Sequence, residues 1–415
     1  MAERHLIGLL LGAEEDWPTV FEELVARVGT IAWRGSRHEL TTERISIGPF
    51  DLRAEPRHAL VIDRLAHWYY VPREWLKKVA LMDEVYLLNN PFTFQSMEKH
   101  AAYCGMMRLG LKVPETWLIP HKDPPGDDRF AYTASKYNAP FHLPEIAERI
   151  GYPLYMKPFD GGAWVGVTRV RDEAELLARY EESGRRLMHL QAAVDFDVFA
   201  RSLTLGAETL VVRFDPARPM FDRYRVEHGF LPPEIGWEVE TIGRLVNAFF
   251  RWEFNSCETL VRGDEVFPID YANASPDLAL TSLHYYFPWA MRTLLKWCAF
   301  CTVTGRRMNV NQDSRPYHEL ADRGDLSYEE KLAAYRALAE EYFQTEAYEE
   351  FCAEALPHVD ELVVEYVESR EFDDLLARTV MGTFPAHEHE RFVPHYRGLL
   401  AAWAGDQRAA ATPTT

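Results

Sequence analysis

A lysine followed by a glycine-rich loop is the segment of this chain whose residue types best suit chemistry. Lys157 ends a short apolar run, and Gly161, Gly162 and Gly166 follow it closely. Glycines let backbone N–H groups approach phosphate oxygens, because no side chain blocks them and positive φ costs little. The lysine adds a point charge for a polyphosphate, although the spacing matches neither a Walker A loop nor a dinucleotide fingerprint. The segment predicts a phosphate-binding loop, with a plain glycine hairpin as the alternative.

Two acids and an amide further along the chain could bind a metal ion. Glu258 lies in one predicted strand, Asp270 lies near the end of the next, and Asn273 follows it. Carboxylate and amide oxygens are hard ligands suited to Mg²⁺, which keeps waters and bridges phosphate oxygens. Solvated acids at strand ends are the alternative for these residues taken alone. Their position after the lysine and the glycine loop favours a combined site for a nucleotide and a metal ion.

These motifs, in this order, resemble those of the ATP-grasp superfamily, which includes D-alanine–D-alanine ligases, glutathione synthetases and ribosomal-protein glutamate ligases. The resemblance covers about residues 90–300. Lys99 resembles the first phosphate-contacting lysine of the family, and Lys157 resembles the second, which contacts phosphate and adenine. The stretch from Gly161 through Gly162 to Gly166 resembles the glycine-rich lid that folds over the phosphates.

The resemblance also implies roles for four residues downstream of the loop. Gln191 occupies the place of the Glu or Gln on the strand whose edge hydrogen-bonds adenine, and Val194 lies just beyond it. Asp197 is similar to the acid that binds the ribose hydroxyls. Arg213 lies where family members often carry an arginine near the transferred phosphate. Four other arginines compete for this role: Arg201, Arg223, Arg225 and Arg251.

The final motif departs from the family pattern at the metal site. The family places its metal carboxylate two residues before the asparagine, where this chain has Tyr271, whereas Asp270 lies three residues before Asn273. Because side chains alternate between the faces of a strand, this odd shift would turn the carboxylate away. Either a local bulge restores its direction, or Glu258 and Asn273 hold the metal with another ligand. Glu253 competes with Glu258 for the first carboxylate position.

The periodicity of apolar residues indicates which elements position these groups. Strand and helix patterns alternate in the first hundred residues, which predicts a mostly parallel sheet with covering helices. The strands are expected at 5–11, 59–63 and 84–89, and the helices at 17–28, 73–81 and 96–110. Residues 120–142, rich in Pro, Asp and Gly, predict a connector. Further strands are expected at 116–119, 153–158, 165–170, 187–193, 198–205, 208–214, 252–261 and 264–271, and further helices at 143–151, 172–183, 237–251, 287–304, 328–350, 357–377 and 388–403.

The expected fold is therefore α/β (α+β), and the resemblance implies an ATP-grasp fold with two α+β lobes that clasp the nucleotide. Its expected regions are a Rossmann-like parallel-sheet domain at 1–95, the ATP-grasp core at 96–308 with a lid at about 143–195, a helical extension at 309–405 and a disordered tail at 406–415. The extension is expected either to cap the acceptor site or to mediate homodimerisation.

Composition and charge limit the partners. Hydrophobic residues make up 47% of the 415 residues and charged residues 26%, which is ordinary for a globular protein. The formal net charge of −19 would repel nucleic acids, so none is expected as a partner. The apolar run near the N-terminus is too short to span a bilayer, so no membrane partner is expected either. The five cysteines form no regular framework, which favours the cytoplasm.

The resemblance implies an ATP-dependent ligase with Mg²⁺ as its metal ion and Mn²⁺ as an alternative. A small-molecule carboxylate would be phosphorylated to an acylphosphate, and an amine or thiol would then displace phosphate; amino acids or peptides are the expected substrates. Lys157 and Arg213 are the expected catalytic residues. A phosphotransferase of the same superfamily and a catalytically silent nucleotide-binding protein are the alternatives. Candidate substrate contacts are Trp68–Tyr70, Asn89, Asn90, Arg223, Arg225 and Thr281–Tyr286.

Overall fold

The computed structural model describes residues 2–93, 99–121, 132–133, 136–160, 162, 164–273 and 275–411. Gly161, much of the predicted connector and the first residues of the helix expected at 96–110 lie outside the described residues. The described chain contains one sheet that is mostly parallel, two antiparallel sheets and covering helices, which is the expected α/β class. Within these ranges, none of the helices combines the length and apolar character needed to cross a membrane.

The N-terminal sheet contains five strands in the order β2-β3-β1-β4-β5. These strands are β1 (Glu3–Leu10), β2 (Thr30–Trp33), β3 (Ser36–Arg44), β4 (Leu60–Asp63) and β5 (Tyr86–Leu88). All are parallel except β2, which pairs antiparallel with β3. The sequence patterns did not predict the β2–β3 hairpin. Its two-residue turn, Arg34-Gly35, has positive φ at both positions, the conformation that suits short hairpins.

Two helices cover opposite faces of this sheet. Helix α1 (Asp16–Val28) shares a core with Leu9 of β1, whereas α2 (Tyr70–Met82) shares a separate core with Leu10. Because neighbouring residues of a strand point to opposite faces, the two helices lie on the two sides of the sheet. This arrangement confirms the predicted parallel sheet with its covering helices.

A smaller lobe is built on a four-stranded antiparallel sheet in the order β6-β9-β7-β8. It follows α3 (Lys99–Arg108) in the chain. Its strands are β6 (Thr116–Ile119), β7 (Leu154–Pro158), β8 (Thr168–Val170) and β9 (Met188–Ala192), and its helices are α4 (Leu143–Ile150) and α5 (Glu173–Ser183). Leu154 and Leu190 of the sheet share one core with Leu143 and Leu176 of the helices. The lobe thus includes β6, which lies before the bounds of about 143–195 expected for the lid.

A larger antiparallel sheet in the order β12-β11-β10-β13-β14 forms the opposing lobe. Its strands are β10 (Val198–Leu205), β11 (Glu208–Phe214), β12 (Tyr224–Arg225), β13 (Phe254–Arg262) and β14 (Glu265–Asp270), and α6 (Pro233–Phe250) packs across it. Gly243 of α6 permits this close packing, because a Cβ there would lie 2.8 Å from Ser202 Oγ.

The rest of the described chain is helical. Its helices are α7 (Leu280–Leu283), α8 (Phe287–Val303), α9 (Arg315–Ala321), α10 (Tyr328–Phe343), α11 (Thr345–Ala355), α12 (Val359–Val367), α13 (Arg370–Thr383) and α14 (His389–Ala411). Two predicted long helices are each divided in two. Gln344, at a φ of 53°, separates α10 from α11, and Ser369 caps the start of α13. Residues 406–411 continue α14 rather than forming the disordered tail expected from their composition, because Trp403 and Ala404 are buried and hold the helix against the core.

A hydrogen-bonded joint connects the N-terminal sheet to the larger lobe. The Asn89 side-chain oxygen accepts from the N–H groups of Glu253 and Phe254, both at 2.7 Å, and its amide donates to the Phe254 carbonyl at 2.7 Å. The carboxylate of Glu253 accepts from Trp297 Nε1 at 2.8 Å and from the Tyr342 hydroxyl at 3.0 Å. This joint fixes the start of β13, the strand that carries Glu258.

Candidate functional site

A cavity of about 610 Å³ lies where the two lobes and the N-terminal sheet meet. Eight of the twelve predicted site residues line it: Lys99, Lys157, Gly162, Gln191, Val194, Glu258, Asp270 and Asn273. Gly161 lies outside the described residues, and Gly166, Asp197 and Arg213 are not among the lining residues. Residues that are far apart in sequence therefore face one hollow.

The two predicted lysines enter the cavity from different elements. Lys157, near the end of β7, is buried, and its Nζ donates to Gln191 Oε1 at 2.6 Å and to the Ile269 carbonyl at 3.3 Å. Lys99 begins α3 and forms an ion pair with Asp270. The pKa of Lys157 is lowered to about 8, mainly by burial. The charge of Asp270 opposes this shift, and the charge of Lys99 adds to it. Two cations held this close together suit a ligand with several negative charges.

Gln191 fixes the head of Lys157 at the base of the smaller lobe. It lies on β9 opposite Tyr155 of β7, and its amide nitrogen donates to Thr116 Oγ1 at 2.8 Å. Its oxygen accepts from Lys157, so both ends of the amide are occupied. Val194, just beyond the strand, lines the cavity beside it. These residues form an apolar and amide edge next to the lysine, which is the surface that the sequence predicted for adenine.

A β-bulge directs Asp270 toward Glu258. Glu258 of β13 pairs with Asp270 of β14, whereas the next residue, Thr259, pairs with Pro268. Ile269 is therefore an extra residue on β14, which shifts the alternation of side chains by one position. Paired residues of antiparallel strands present their side chains on the same face. Of the two arrangements left open by the sequence, the structure has the bulge.

Glu258, Asp270 and Asn273 form a set of donors that fits a divalent cation. Asp270 Oδ1 is buried without a hydrogen-bond partner among the described residues, and Glu258 is buried opposite it. Burial raises the pKa of Glu258, and the charge of Asp270 raises it further, while nearby cations oppose this shift. The Asn273 amide nitrogen donates to Ser256 Oγ at 3.2 Å, which holds that side chain beside the two acids. An all-oxygen set with an unsatisfied carboxylate oxygen suits Mg²⁺ or Mn²⁺.

Arg201 is the arginine that β10 brings into the cavity. It pairs with Glu258 across the sheet, with a closest approach of 3.9 Å between the two charged groups. Its Nη2 donates to Ser256 Oγ at 3.3 Å, while its Nε is buried without a partner among the described residues. The guanidinium carbon lies 5.2 Å from the centre of the Phe214 ring and 5.7 Å from that of Tyr224. These contacts hold a cationic donor beside the acids.

Arg213, the arginine expected to be catalytic, lies on the other face of the same sheet. It pairs with Ala200, the neighbour of Arg201, so strand alternation directs the two arginines to opposite faces. Arg213 Nη1 contacts Glu227 at 2.7 Å, and its side chain is 40% exposed. Arg201 was only one of four competing arginines in the sequence. Strand register decides between the two arginines, so the sequence carried no signal that distinguishes Arg201.

Two further predicted ligand residues have structural contacts outside the cavity. Asp197 Oδ2 accepts from the N–H of Gly263 at 2.9 Å, at the turn between β13 and β14. Gly166 has a φ of 78°, and a Cβ there would lie 2.9 Å from Pro158 Cγ. Gly166 thus lets the loop pack against the end of β7, while Gly162 and Trp164 of the same loop line the cavity. The role of Asp197 toward a ribose stays a prediction.

The N-terminal domain supplies one wall of the cavity. Its lining residues are Glu14, Arg64, His67 and Trp68. Arg64 Nε donates to Glu14 Oε1 at 2.8 Å, and its Nη1 donates to the Pro276 carbonyl at 2.8 Å, which ties this wall to the segment after β14. Burial lowers the pKa of His67 to about 4, and the charge of Arg64 adds to this, so its imidazole is neutral at pH 7. Of the substrate contacts suggested by the sequence, three line the cavity: Trp68, Arg223 and Ser282.

The C-terminal extension packs behind another part of this wall. The Tyr396 hydroxyl of α14 donates to the Thr281 carbonyl at 2.7 Å, directly before Ser282. Phe392 of the same helix contacts Phe221, with ring centres 4.8 Å apart. Thr281 and Phe221 are each next in sequence to a residue that lines the cavity, so both contacts support the cavity wall. The extension therefore stabilises the rear of the wall.

No family model matches the chain. A D-alanine–D-alanine ligase of Dechloromonas aromatica is 27% identical over 130 residues, which are 31% of this chain and 37% of that ligase. The chain thus spans little more than a third of the length of this curated relative.

Several solved structures are also similar to this chain, each with a TM-score of 0.46. An ATP-grasp RimK domain protein from Sphaerobacter thermophilus is 15% identical and matches 66% of this chain and 93% of its own. A D-alanine–D-alanine ligase from Bacillus anthracis, complexed with ATP, is 14% identical and matches 81% and 99%. The VanG D-Ala:D-Ser ligase from Enterococcus faecalis is 12% identical and matches 82% and 100%. The chain is similar to ATP-grasp proteins, as its motifs indicated.

Proposed function

We propose that this protein is an ATP-dependent ligase that phosphorylates a carboxylate and joins the acyl group to an amine. The observation that carries the proposal is the convergence of Lys99, Lys157, Arg201 and three oxygen ligands on one cavity. The curated relative and the solved structures named above include ligases of this reaction class. The reaction needs no nucleophile from the protein, so the expected machinery is a set of charges with fixed positions.

Three of the cations that line the cavity suit the phosphates of ATP: Lys99, Lys157 and Arg201. Glu258, Asp270 and Asn273 would hold a Mg²⁺ ion, which would supply further positive charge to stabilise the charge that develops during transfer. Lys99, which is paired with Asp270, would then be able to contact the phosphates.

The first step forms an acylphosphate. A carboxylate oxygen of the substrate attacks the γ-phosphorus of ATP, the bond from that phosphorus to the β,γ-bridging oxygen breaks, and ADP leaves. Lys157 and Lys99 hold the phosphates and neutralise the transferred group, while Gln191 keeps the head of Lys157 in place. Gly162 and Trp164 line the cavity and would help to exclude water, which would otherwise hydrolyse the acylphosphate.

The second step forms the amide. The amine nitrogen attacks the acyl carbon, the carbon–oxygen bond to phosphate breaks, and phosphate leaves with its bonding electrons while the nitrogen loses a proton. The tetrahedral intermediate carries a negative oxygen. Arg201 is the donor best placed to stabilise it, because its guanidinium lies beside Glu258 and its buried Nε has no hydrogen-bond partner among the described residues.

Amino acids with apolar side chains are the substrates that we favour. The wall formed by the N-terminal domain and the segments after β11 and β14 carries both acids and arginines, which suit the ammonium and carboxylate groups of amino acids. These charged residues are Glu14, Asp277, Arg64 and Arg223. Aromatic rings lie between them and suit an apolar side chain: Trp68, Phe214 and Tyr224.

A screen for ADP and phosphate release tests the proposal. Amino acids and dipeptides would be supplied in pairs with ATP and Mg²⁺, and we expect ADP and phosphate to be released together in a reaction that needs both substrates. Lys157→Ala should abolish this release, whereas Lys112→Ala, at an exposed lysine, should leave it unchanged. A stable phosphorylated product without phosphate release would indicate a phosphotransferase instead. Tight ATP binding with no turnover across the screen would indicate a silent nucleotide-binding protein.

A further inference from the structure

A second group of metal-ligating side chains lies at the other end of the N-terminal sheet. Glu3 and His5 of β1 are two residues apart, so their side chains project from the same face of the strand. Glu3 pairs with His38 of β3 in the parallel register, which brings the second imidazole to the same face. The three residues come from two strands that are distant in sequence, so no sequence spacing marks them.

Their ligand atoms are already close together. His5 Nε2 lies 3.0 Å from His38 Nδ1, and His38 Nδ1 lies 3.7 Å from Glu3 Oε2. One ligand atom from each of the three residues lies within 4.8 Å of the other two. Two ligands of a tetrahedral zinc ion with bonds of about 2.0–2.1 Å are roughly 3.3 Å apart. An ion placed between these atoms would therefore require only small movements of the side chains.

The group is buried on one side and open to solvent on the other. Both histidines are buried. The Glu3 side chain is 66% exposed, so it supplies a negative charge and leaves the group open to solvent for a water ligand. Strands β3 and β4 flank β1 on both sides, which gives the group a rigid support.

We propose that Glu3, His5 and His38 bind one Zn²⁺ ion in a site separate from the cavity. Two nitrogen ligands and one carboxylate favour a borderline metal such as zinc over Mg²⁺, which prefers oxygen ligands. Glu14 of the cavity follows the opposite end of β1, about 20 Å away by the length of the strand. The ion would tie β1 to β3 and take no part in the ligase reaction. Binding would require the N–H shared by the two imidazoles to move to the outer nitrogen of its own ring.

Zinc titration of the full chain tests this site. The protein would be prepared without a histidine tag, treated with EDTA and titrated with ZnCl₂ by calorimetry. We expect one ion per chain, a Kd of about 1 µM or tighter and a higher melting temperature. Co²⁺ in place of zinc should give the visible absorption of a four-coordinate site.

Two variants and one control separate a built site from adventitious binding. His38→Ala should weaken zinc binding by about tenfold or more, and Glu3→Gln should do so at an exposed position where misfolding is not expected. His142→Ala, at an exposed histidine in the smaller lobe, should bind zinc like the wild type. Absence of one-to-one binding to the wild type, or a zinc affinity of Glu3→Gln and His38→Ala equal to that of the wild type, would show that the two histidines form only a hydrogen-bonded pair. Ligase activity is a separate measurement, so its failure would not affect this result.

Discussion

Two buried carboxylates near the same strand have opposite surroundings. Glu253, just before β13, accepts hydrogen bonds from Trp297, Tyr342 and Tyr86, and Arg306 lies 3.6 Å away. Glu258, within β13, faces a cavity and the like charge of Asp270, with its nearest cation 3.9 Å away. Glu253 has a full set of hydrogen-bond donors and stabilises the fold. Glu258 lacks such a set of donors, which is typical of a carboxylate that binds a cation.

The largest expected effect comes from removing the charge of Glu253. Glu253→Gln leaves the buried Arg306 without its counter-charge, so the free energy of unfolding should fall by about 3–5 kcal/mol. Urea unfolding would measure this change. The matched variant is Glu258→Gln, which removes one of two adjacent like charges and should therefore abolish turnover without a comparable loss of stability. Equal losses of stability in the two variants would contradict the assignment of Glu253 to the stability of the joint and of Glu258 to the function of the cavity.

The second comparison is between the two arginines on opposite faces of the larger sheet. Arg201→Ala removes the donor proposed for the tetrahedral intermediate, so kcat/KM should fall by about 10²–10³. Arg213→Ala removes a half-exposed residue that pairs with Glu227, so kcat/KM should stay within about twofold of the wild type. Steady-state kinetics with the substrate pair found in the screen would decide between them. The reverse ranking would return the catalytic role to Arg213.

The Asn273→Ala variant tests whether the uncharged side chain of Asn273 helps to bind the metal ion. Asn273→Ala removes an oxygen ligand but no charge, so the Mg²⁺ concentration for half-maximal activity should rise by about tenfold. Titration of MgCl₂ at saturating ATP measures this. Asn255→Ala is unsuitable as a control, because Asn255 is buried and donates to the Tyr271 carbonyl. Ser275→Ala, at another lining residue, is the better control. An unchanged Mg²⁺ requirement in Asn273→Ala would make that residue structural.

The smallest expected effect is a pH dependence that originates from Lys157. Its pKa is lowered by burial to about 8, so above this pH the unfolded chain binds more protons than the folded chain does. The contribution of Lys157 to the unfolding free energy should therefore rise with pH from about 8 toward the ordinary lysine value of about 10.4. Compared with Lys157→Met, the wild type should gain about 1 kcal/mol for the first pH unit above about pH 8. A constant difference between the two proteins would show that Lys157 has an ordinary pKa.

The sequence predicted the elements with strong local patterns. The parallel sheet around β1, the lysine before the glycine loop and the pair of strands that carry Glu258 and Asp270 all agree with the structure. Each of these features depends on neighbouring residues or on short apolar periods. The hairpin that contains β2 was missed because much of β3 is polar, although the Arg34-Gly35 turn was a usable signal.

Features that depend on strand register could not be read from one sequence. The bulge at Ile269 was left as one of two alternatives, because only the pairing of β13 with β14 shows where the extra residue lies. The choice between Arg201 and Arg213 likewise depends on which face of the sheet borders the cavity. The break at Gln344 requires a positive φ in a run of good helix formers, and tertiary packing decides that conformation.

Nucleotide binding measured by calorimetry tests the central claim most directly. A non-hydrolysable ATP analogue would be titrated into the wild type with and without Mg²⁺, and into Lys157→Ala and Asp270→Asn with Mg²⁺. We expect the wild type to bind the analogue in a manner that depends on Mg²⁺, and both variants to bind it at least about tenfold more weakly. Absence of binding to the wild type, or equal binding to all three proteins, would contradict the account.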